Sequence, residues 1–343
     1  MSGRGYLLSL VGLGVLLVVA LVVSLGVGAV SLPPGQVLAV VSGYAFSGER
    51  SDATAFTIVW HLRLPRALLA ALIGGGLAAA GAAFQGLFRN PLADPFTVGA
   101  SGGAALGATL AITLQWAGGG AGFGPVPLSA FVGALLAVAV VYVVAEAGGR
   151  APAVALLLAG AALSTLMSAT VSLLALLNDR TLHEVFAWLM GSLGGRSWPH
   201  LWASGFYLLV GPGALWLLSR PLDAMTCGEE TAQSLGLSLS RAQGAVVAVA
   251  SLTTAAAVAG GGIIGFVGLI APHIARLLFG AAHHRLIPAS AFLGALLLLL
   301  ADDLARTILA PVELPVGIVT AMLGGPFFLY LLKTRQQELG GAR

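Results

Sequence analysis

The stretch RLPRALLAALIGGGLAAAGAAFQGLFRNPLADPFTVGASGGAALG, from Arg63 to Gly107, decides how this chain folds. It holds two apolar segments rich in Gly and Ala, parted by the short polar hairpin Asn90-Pro-Leu-Ala-Asp-Pro95. Small residues let helix backbones approach closely. Gly74-Gly-Gly76 and Gly99-Ala-Ser-Gly-Gly103 therefore predict helices buried against other helices rather than against lipid.

Outward from that stretch the chain stays apolar. Hydrophobic residues fill 58% of its 343 positions and charged ones 8%, which excludes an ordinary soluble domain. Apolar runs of about 20 residues, enough to cross a bilayer as helices, recur along most of the length. They predict an all-α, polytopic membrane protein of about ten transmembrane helices, forming one transmembrane domain over residues 1–343. The first five are Tyr6–Val30, Ala67–Phe88, Thr97–Trp116, Val126–Glu146 and Ala153–Leu177. The second five are Leu201–Ser219, Gln243–Ile263, Val267–Phe279, Pro288–Ile308 and Pro315–Leu332. Tyr6–Val30 exceeds the core of a signal peptide and reads as a retained first helix. Between the two sets, the semi-polar outer segment 178–199 holds Leu182–Leu193, a candidate re-entrant or interfacial helix.

The net charge of +3 carries no message about nucleic acid; the placement of basic residues reports topology instead. With the N-terminus inside, ten of the 16 fall on the inner side, Arg89, Arg150, Arg220, Arg285 and Arg343 among them. The outer ones are Arg50, Arg63, Arg66, Arg180, Arg196 and Arg306. The bias predicts N-in and C-in, and arginines kept against it imply a task outside the membrane. The inner connection Pro221–Gln243 is the longest hydrophilic stretch. Glu229 and Glu230 suit the first turn of a short helix, and Gly236 would end it. With Gln233, Ser234 and Leu235 on it, this is either a docking element for a cytoplasmic partner or an ordinary capped loop.

Several chemistries are excluded or demoted. Lys333 is the one lysine, so no Gly-x-x-x-x-Gly-Lys phosphate loop exists, and any ATP that drives this protein is hydrolysed by another chain. One cysteine excludes an internal disulfide or a cysteine metal cluster. His183-Glu184 lacks a second histidine, and His283-His284 has no acidic residue nearby in sequence, so no metal site is read. Ser101 lies in a Gly-x-Ser-x-Gly pattern like that of intramembrane proteases, with His273 as the one histidine placed to act as its base. Tight helix packing explains those glycines better. Asp302 and Asp303 precede Arg306 at helical spacing, which favours a local ion pair over a proton relay of a secondary transporter. Glu313-Leu-Pro-Val-Gly317 reads as an outer cap on the last helix. Phe84-Gln-Gly-Leu87 with Pro91 echoes Phe266-Val-Gly-Leu269 with Pro272, which suggests an inverted repeat of helices 2–5 and 7–10.

Separated blocks then agree in order and spacing. They are Arg63-Leu-Pro-Arg66, Phe84 to Pro95, Gly99-Ala-Ser-Gly-Gly103, Leu156-Leu-Leu-Ala-Gly160 and Trp188-Leu-Met-Gly-Ser-Leu193. Gly228-Glu-Glu-Thr-Ala-Gln-Ser-Leu-Gly236, Gly265-Phe-Val-Gly-Leu-Ile-Ala-Pro-His273 and Glu313 to Thr320 complete the set. From Tyr6 to Lys333 the chain closely resembles the FecCD family of permeases, ATP-binding-cassette (ABC) importers for siderophores, haem and vitamin B12.

The resemblance implies a ten-helix subunit of the cell inner membrane that pairs with a second permease copy. Two cytoplasmic ABC ATPases, carrying ATP and Mg²⁺, bind below it, and a periplasmic binding protein docks above. No cofactor is implied in this chain, and its partners are these proteins, membrane lipid and a metal-chelate cargo. Iron–siderophore or haem comes first, with cobalamin as the alternative. The family's docking positions carry over to Arg63, Arg66 and Arg306, and its ATPase-coupling element to Glu229, Glu230, Gln233, Ser234, Leu235 and Gly236. The substrate path follows helix five, its outer extension and helix ten, with Arg180, His183, Trp188 and Met190 at the outer mouth. The inner gate falls on Ala153 and Val154, apolar where some members carry hydroxyls.

Overall fold

The computed structural model describes residues 3–28, 30–46, 53–116, 123–147 and 153–340, where all regular structure is helical. In chain order the helices are α1 (Gly3–Gly26), α2 (Pro34–Phe46), α3 (Ala53–Leu87), α4 (Ala100–Thr113) and α5 (Pro125–Glu146). There follow α6 (Ala153–Leu177), α7 (Leu182–Leu189), α8 (Trp198–Leu217), α9 (Ser219–Thr226) and α10 (Glu229–Ser234). The last four are α11 (Leu239–Gly261), α12 (Val267–Phe279), α13 (His283–Ala305) and α14 (Val316–Gly340). Six of them, α1, α3, α5, α6, α11 and α13, are long and apolar enough to cross a membrane. A seventh span is the pair α8 and α9, bent by 52°, and α4, α12 and the Val316–Leu331 part of α14 are shorter apolar helices. Among the described residues these seven candidate spans and three shorter apolar helices stand at the ten places expected.

Two features were not expected. Helix α2 fills the connection after the first span, and α3 begins at Ala53 rather than at Ala67. Leu64-Pro65 looks like a helix boundary, because proline lacks a donor and its ring strikes the carbonyl four residues back. Here Thr57–Arg63 is π-helical. The wider turn shifts the hydrogen-bond register just where Pro65 has no N–H to give, so the helix runs through.

The core sits on α3, whose span is 89% buried. Its small residues have a single physical purpose, close approach. Gly74 lies against Gly294 of α13, and a methyl on Gly74 would stand 2.8 Å from the Leu298 Cβ. Gly103 of α4 meets Gly133 of α5, and a methyl there would stand 2.5 Å from the Ala137 Cβ. The packing follows the inverted repeat. Helix α3 packs on α13 and α11 on α5; α4 packs on α5 and α12 on α13; α4 packs on α6 and α12 on α14. Both α4 and α12 also start from a left-handed residue, Gly99 and Phe266.

The short sequence echo that suggested the repeat does not map onto it. Phe84 ends α3, whereas Phe266 precedes α12, so the two phenylalanines occupy different places in their halves. The symmetry lives in packing geometry, which glycine and alanine satisfy in many orders.

Candidate functional site

Polar residues gather at the two ends of the bundle. One end collects the C-terminus of α1, the Arg63–Arg66 turn of α3 and the C-terminus of α13. There the Arg66 fork grips Asp302 through Nε–Oδ2 and Nη2–Oδ1 bonds of 2.9 Å each, and its Nη1 donates to Glu313 Oε2 at 2.7 Å. Arg63 donates to the carbonyls of Leu25, at 2.8 Å, and Val30. Arg306 donates to the Ser24 carbonyl at 3.0 Å and its hydroxyl at 2.6 Å, and pairs with Asp303. Asp302 is fully buried, so its paired guanidinium is what makes the charge tolerable there. The ion pair expected between Arg306 and its aspartates forms, but the dominant partner of Asp302 comes from α3.

The three arginines expected at the docking surface are engaged within the chain itself. Arg63 and Arg66 are 7% exposed and Arg306 4%, and acceptors of the same chain occupy their forks. A carboxylate from a binding protein would have to displace those acceptors. Through these bonds the arginines hold α1, α3 and α13 together. Glu313 likewise is an ion-pair partner of Arg66 more than a helix cap, since α14 starts at Val316.

The other end carries the short helix α10. Glu229 and Glu230 stand in its first turn, where the helix dipole favours them. Its C-terminus closes with Leu237 N donating to Ala232 O at 3.1 Å and Gly236 N to Gln233 O at 2.9 Å. This pair of bonds is a Schellman cap, and Gly236, at φ +81°, supplies the left-handed residue it needs. Glu229, Glu230, Gln233, Ser234 and Gly236 are exposed, and Leu235 is 71% exposed, while Ala232 is buried as an anchor. The result is a rigid knob pointing away from the bundle.

The knob is tied to two spans. Arg89, just past α3, donates from Nε to the Met225 carbonyl of α9 at 2.9 Å. Asp223 of α9 accepts both the backbone N–H of His283, at 2.9 Å, and its Nδ1–H, at 2.6 Å. Sequence reasoning gave His283 no acidic partner, because Asp223 lies 60 residues away. Between the spans, Asp94 caps the 3-10 turn Pro95–Val98 by accepting from Phe96 N at 2.9 Å. Burial pushes its carboxyl up to about 6, against that backbone hydrogen bond.

The expected path residues are brought together in part. The turn after α7 is held to α14 by Gly317 N donating to Gly191 O at 3.2 Å, and to α11 by Ser192 N donating to Gly261 O at 2.8 Å. Met190 there lines a cavity of about 470 Å³ with Ile263, Phe266, Gly317, Ile318 and Met322. Trp188 instead packs against the buried cluster of Ala105, Ile112, Val171 and Val185. Arg180 and His183 are exposed at the start of α7, away from that cavity wall. Ala153 and Val154 form the first turn of α6, with Val154 66% exposed. Arg50, Arg150 and Arg343 lie outside the described residues. Ser101 is half-buried on α4, and the His273 ring stacks edge-on against Phe327 of α14, with 5.7 Å between centroids.

A bundle of apolar membrane-crossing helices with an exposed knob at one end defines a polytopic membrane protein. Residues 16–334 match the model of the FecCD transport family, and the chain belongs to that family. It is 45% identical over 283 residues to a cobalamin import system permease of Halobacterium salinarum, covering 82% of this chain and 75% of that one. It is 40% identical to an Fe(3+)-citrate import system permease of Bacillus subtilis, over 95% of both chains. A solved structure described as an inward-facing metal-chelate type ABC transporter superposes with a TM-score of 0.82 at 34% identity, covering 95% of this chain and 98% of that one. The protein is thus the membrane-spanning permease subunit of an ABC importer and not an enzyme, which removes the protease reading of Ser101.

Proposed function

We propose that this permease works as a homodimer in the cell inner membrane, with both termini inside. It moves a metal chelate received from a periplasmic binding protein into the cytoplasm, driven by two cytoplasmic ABC ATPases that bind ATP and Mg²⁺. One observation supports the reading most directly: α10 is an exposed helix with a capped C-terminus, on a segment anchored to two spans, in a chain without a phosphate loop. Such a knob suits a cleft in a partner, with Glu229, Glu230, Gln233, Ser234, Leu235 and Gly236 as the contact. The path runs between α6, α7 and α14, past Met190, with Arg180 and His183 outside its mouth and Trp188 as packing behind it. Ala153 and Val154 close its inner end by apolar contact with the second copy. Arg63, Arg66 and Arg306 are structural in this reading, and the binding protein meets the exposed surface around them.

Iron–siderophore or haem is the cargo proposed first. Cobalamin is the second reading, favoured by the identity of 45% with a cobalamin import permease. The test is reconstitution of this chain with its ATPase and binding protein in vesicles, followed by uptake of haem, ferric siderophore and cobalamin. ATP-dependent uptake of one of these is expected. Uptake driven by a proton gradient without ATP would overturn the proposal.

A further inference from the structure

The knob can act on the spans only through its attachments, and the structure shows what those are. Met225 of α9 is held from α3 through Arg89, and Asp223 of α9 is held from α13 through His283. The second attachment is the more specific. A single carboxylate oxygen, Asp223 Oδ1, accepts the first N–H of α13 and the imidazole Nδ1–H of the same residue. His283 is 4% exposed and the Nε2 edge of its ring faces α3 at Gly86, where a methyl would stand 2.8 Å from the ring Cε1. Its Nε2 has no hydrogen-bond partner among the described residues, so the Asp223 contact fixes the tautomer with the proton on Nδ1. Three elements therefore converge on one side chain: α9 by hydrogen bonds, α3 by van der Waals contact and α13 covalently.

Nothing in packing alone requires a histidine here. A leucine would fill the same volume without leaving a buried nitrogen unpaired, so the imidazole is retained at a cost that the Asp223 bond offsets. That bond joins the segment carrying α10 to two spans that approach closely at Gly74 and Gly294. We infer that His283 is a positioning residue for energy coupling: with Asp223 and Gly86 it clamps the α9–α10 unit to α3 and α13, so that displacement of the knob becomes a concerted movement of both spans.

This rests on the reading of α10 as the ATPase contact, and the experiment separates the two. Variants H283L, D223A and G86A are reconstituted with the ATPase and binding protein, and substrate transported per ATP hydrolysed is measured. Complex assembly is monitored by co-purification of the ATPase. Each variant is expected to lower that ratio at least threefold with assembly intact. G86A reaches the same clamp without altering either hydrogen-bonding group, which covers the case of an H283L that does not accumulate. H283N, whose side-chain amide N–H takes the place of Nδ1–H, and D223N, which keeps Oδ1, are expected to restore at least half of the ratio. An unchanged ratio in D223A and G86A overturns the clamp, and so does an H283N as poorly coupled as H283L. In parallel, G236V and L235A test the contact itself: if they are normally coupled, the α10 reading fails, whatever the clamp variants do.

Discussion

Asp94 shows how a single side chain in this apolar protein trades burial against a local hydrogen bond. It caps the turn between α3 and α4, and its carboxyl titrates at about 6 rather than 3.8, because burial disfavours the charged form. A raised carboxyl contributes stability that is fully present below the unfolded value of 3.8 and is lost as the pH rises through about 6. D94N keeps the acceptor oxygen for Phe96 N–H and removes the charge. It should therefore stabilise the protein at pH 8 by about 1–2 kcal/mol, a figure reduced from the full shift because the residue is only partly buried. At pH 4 the gain should vanish. Thermal melts in detergent at the two pH values check this, and an equal effect at both would show that burial of the charge is not the cause. At the other end of the bundle the same physics takes a different form. Asp302 keeps its buried place through the Arg66 fork, so charge reversal at Arg66 reports on folding before it reports on any partner.

At the scale of helices, what the sequence could tell depended on whether a signal was local. The α10 knob was legible because its acidic first turn and terminal Gly236 are both local features, read directly as a start and a stop. The burial of α3 and α4 was legible for the same reason, since runs of glycine and alanine make sense only where backbones meet. The start of α3 was not, because a π-helical turn overrides the break that Pro65 announces, and no composition rule marks such a turn. The intrachain partners of Arg63 and Arg66 were not legible, because their acceptors come from α1, α13 and the loop before α14, remote in sequence. Partnering of His283 escaped for the same reason. Where the local signal was read correctly, it makes a quantitative claim. Gly74→Ala would place a methyl 2.8 Å from the Leu298 Cβ and from the Gly294 carbonyl carbon, so α3 and α13 must separate. The expected loss is about 1–3 kcal/mol or more, read as a lower melting temperature. Ala71→Gly on the same helix, which only removes a methyl, should cost less. If Gly74→Ala melted like the parent, close approach would not be what the glycine is for.

For the whole molecule, the decisive contrast is between two helices that the single chain leaves uncovered. The span of α1 is 6% buried and that of α6 is 17% buried, so by exposure alone both could face lipid. Their surfaces differ in kind. The uncovered face of α1 presents Leu7, Val11, Val15 and Val18, with no polar atom to satisfy. The uncovered face of α6 carries Thr165, Ser168 and Ser172 at spacings of three and four residues, one polar stripe along a transmembrane helix. Thr165 donates within its own helix to the Ala161 carbonyl, at 2.9 Å, and a polar stripe of this kind still packs better against a partner helix or a water-lined path than against lipid. The cavity at Met190 lies beside this stripe's outer extension and against α14, whose Met322 is 71% exposed. A second copy meeting the first across a twofold axis would cover α6 and α14, enclose the stripe in a shared path, and leave α1 to lipid. Single cysteines test this once the exposed Cys227 is replaced by serine. In membranes, Ser168→Cys should give a dimer with a short thiol cross-linker, whereas Val15→Cys should stay monomeric under the same treatment. Equal cross-linking at both sites would mean random collision, and efficient cross-linking at Val15 alone would place the symmetry axis on the opposite side of the bundle and the path with it.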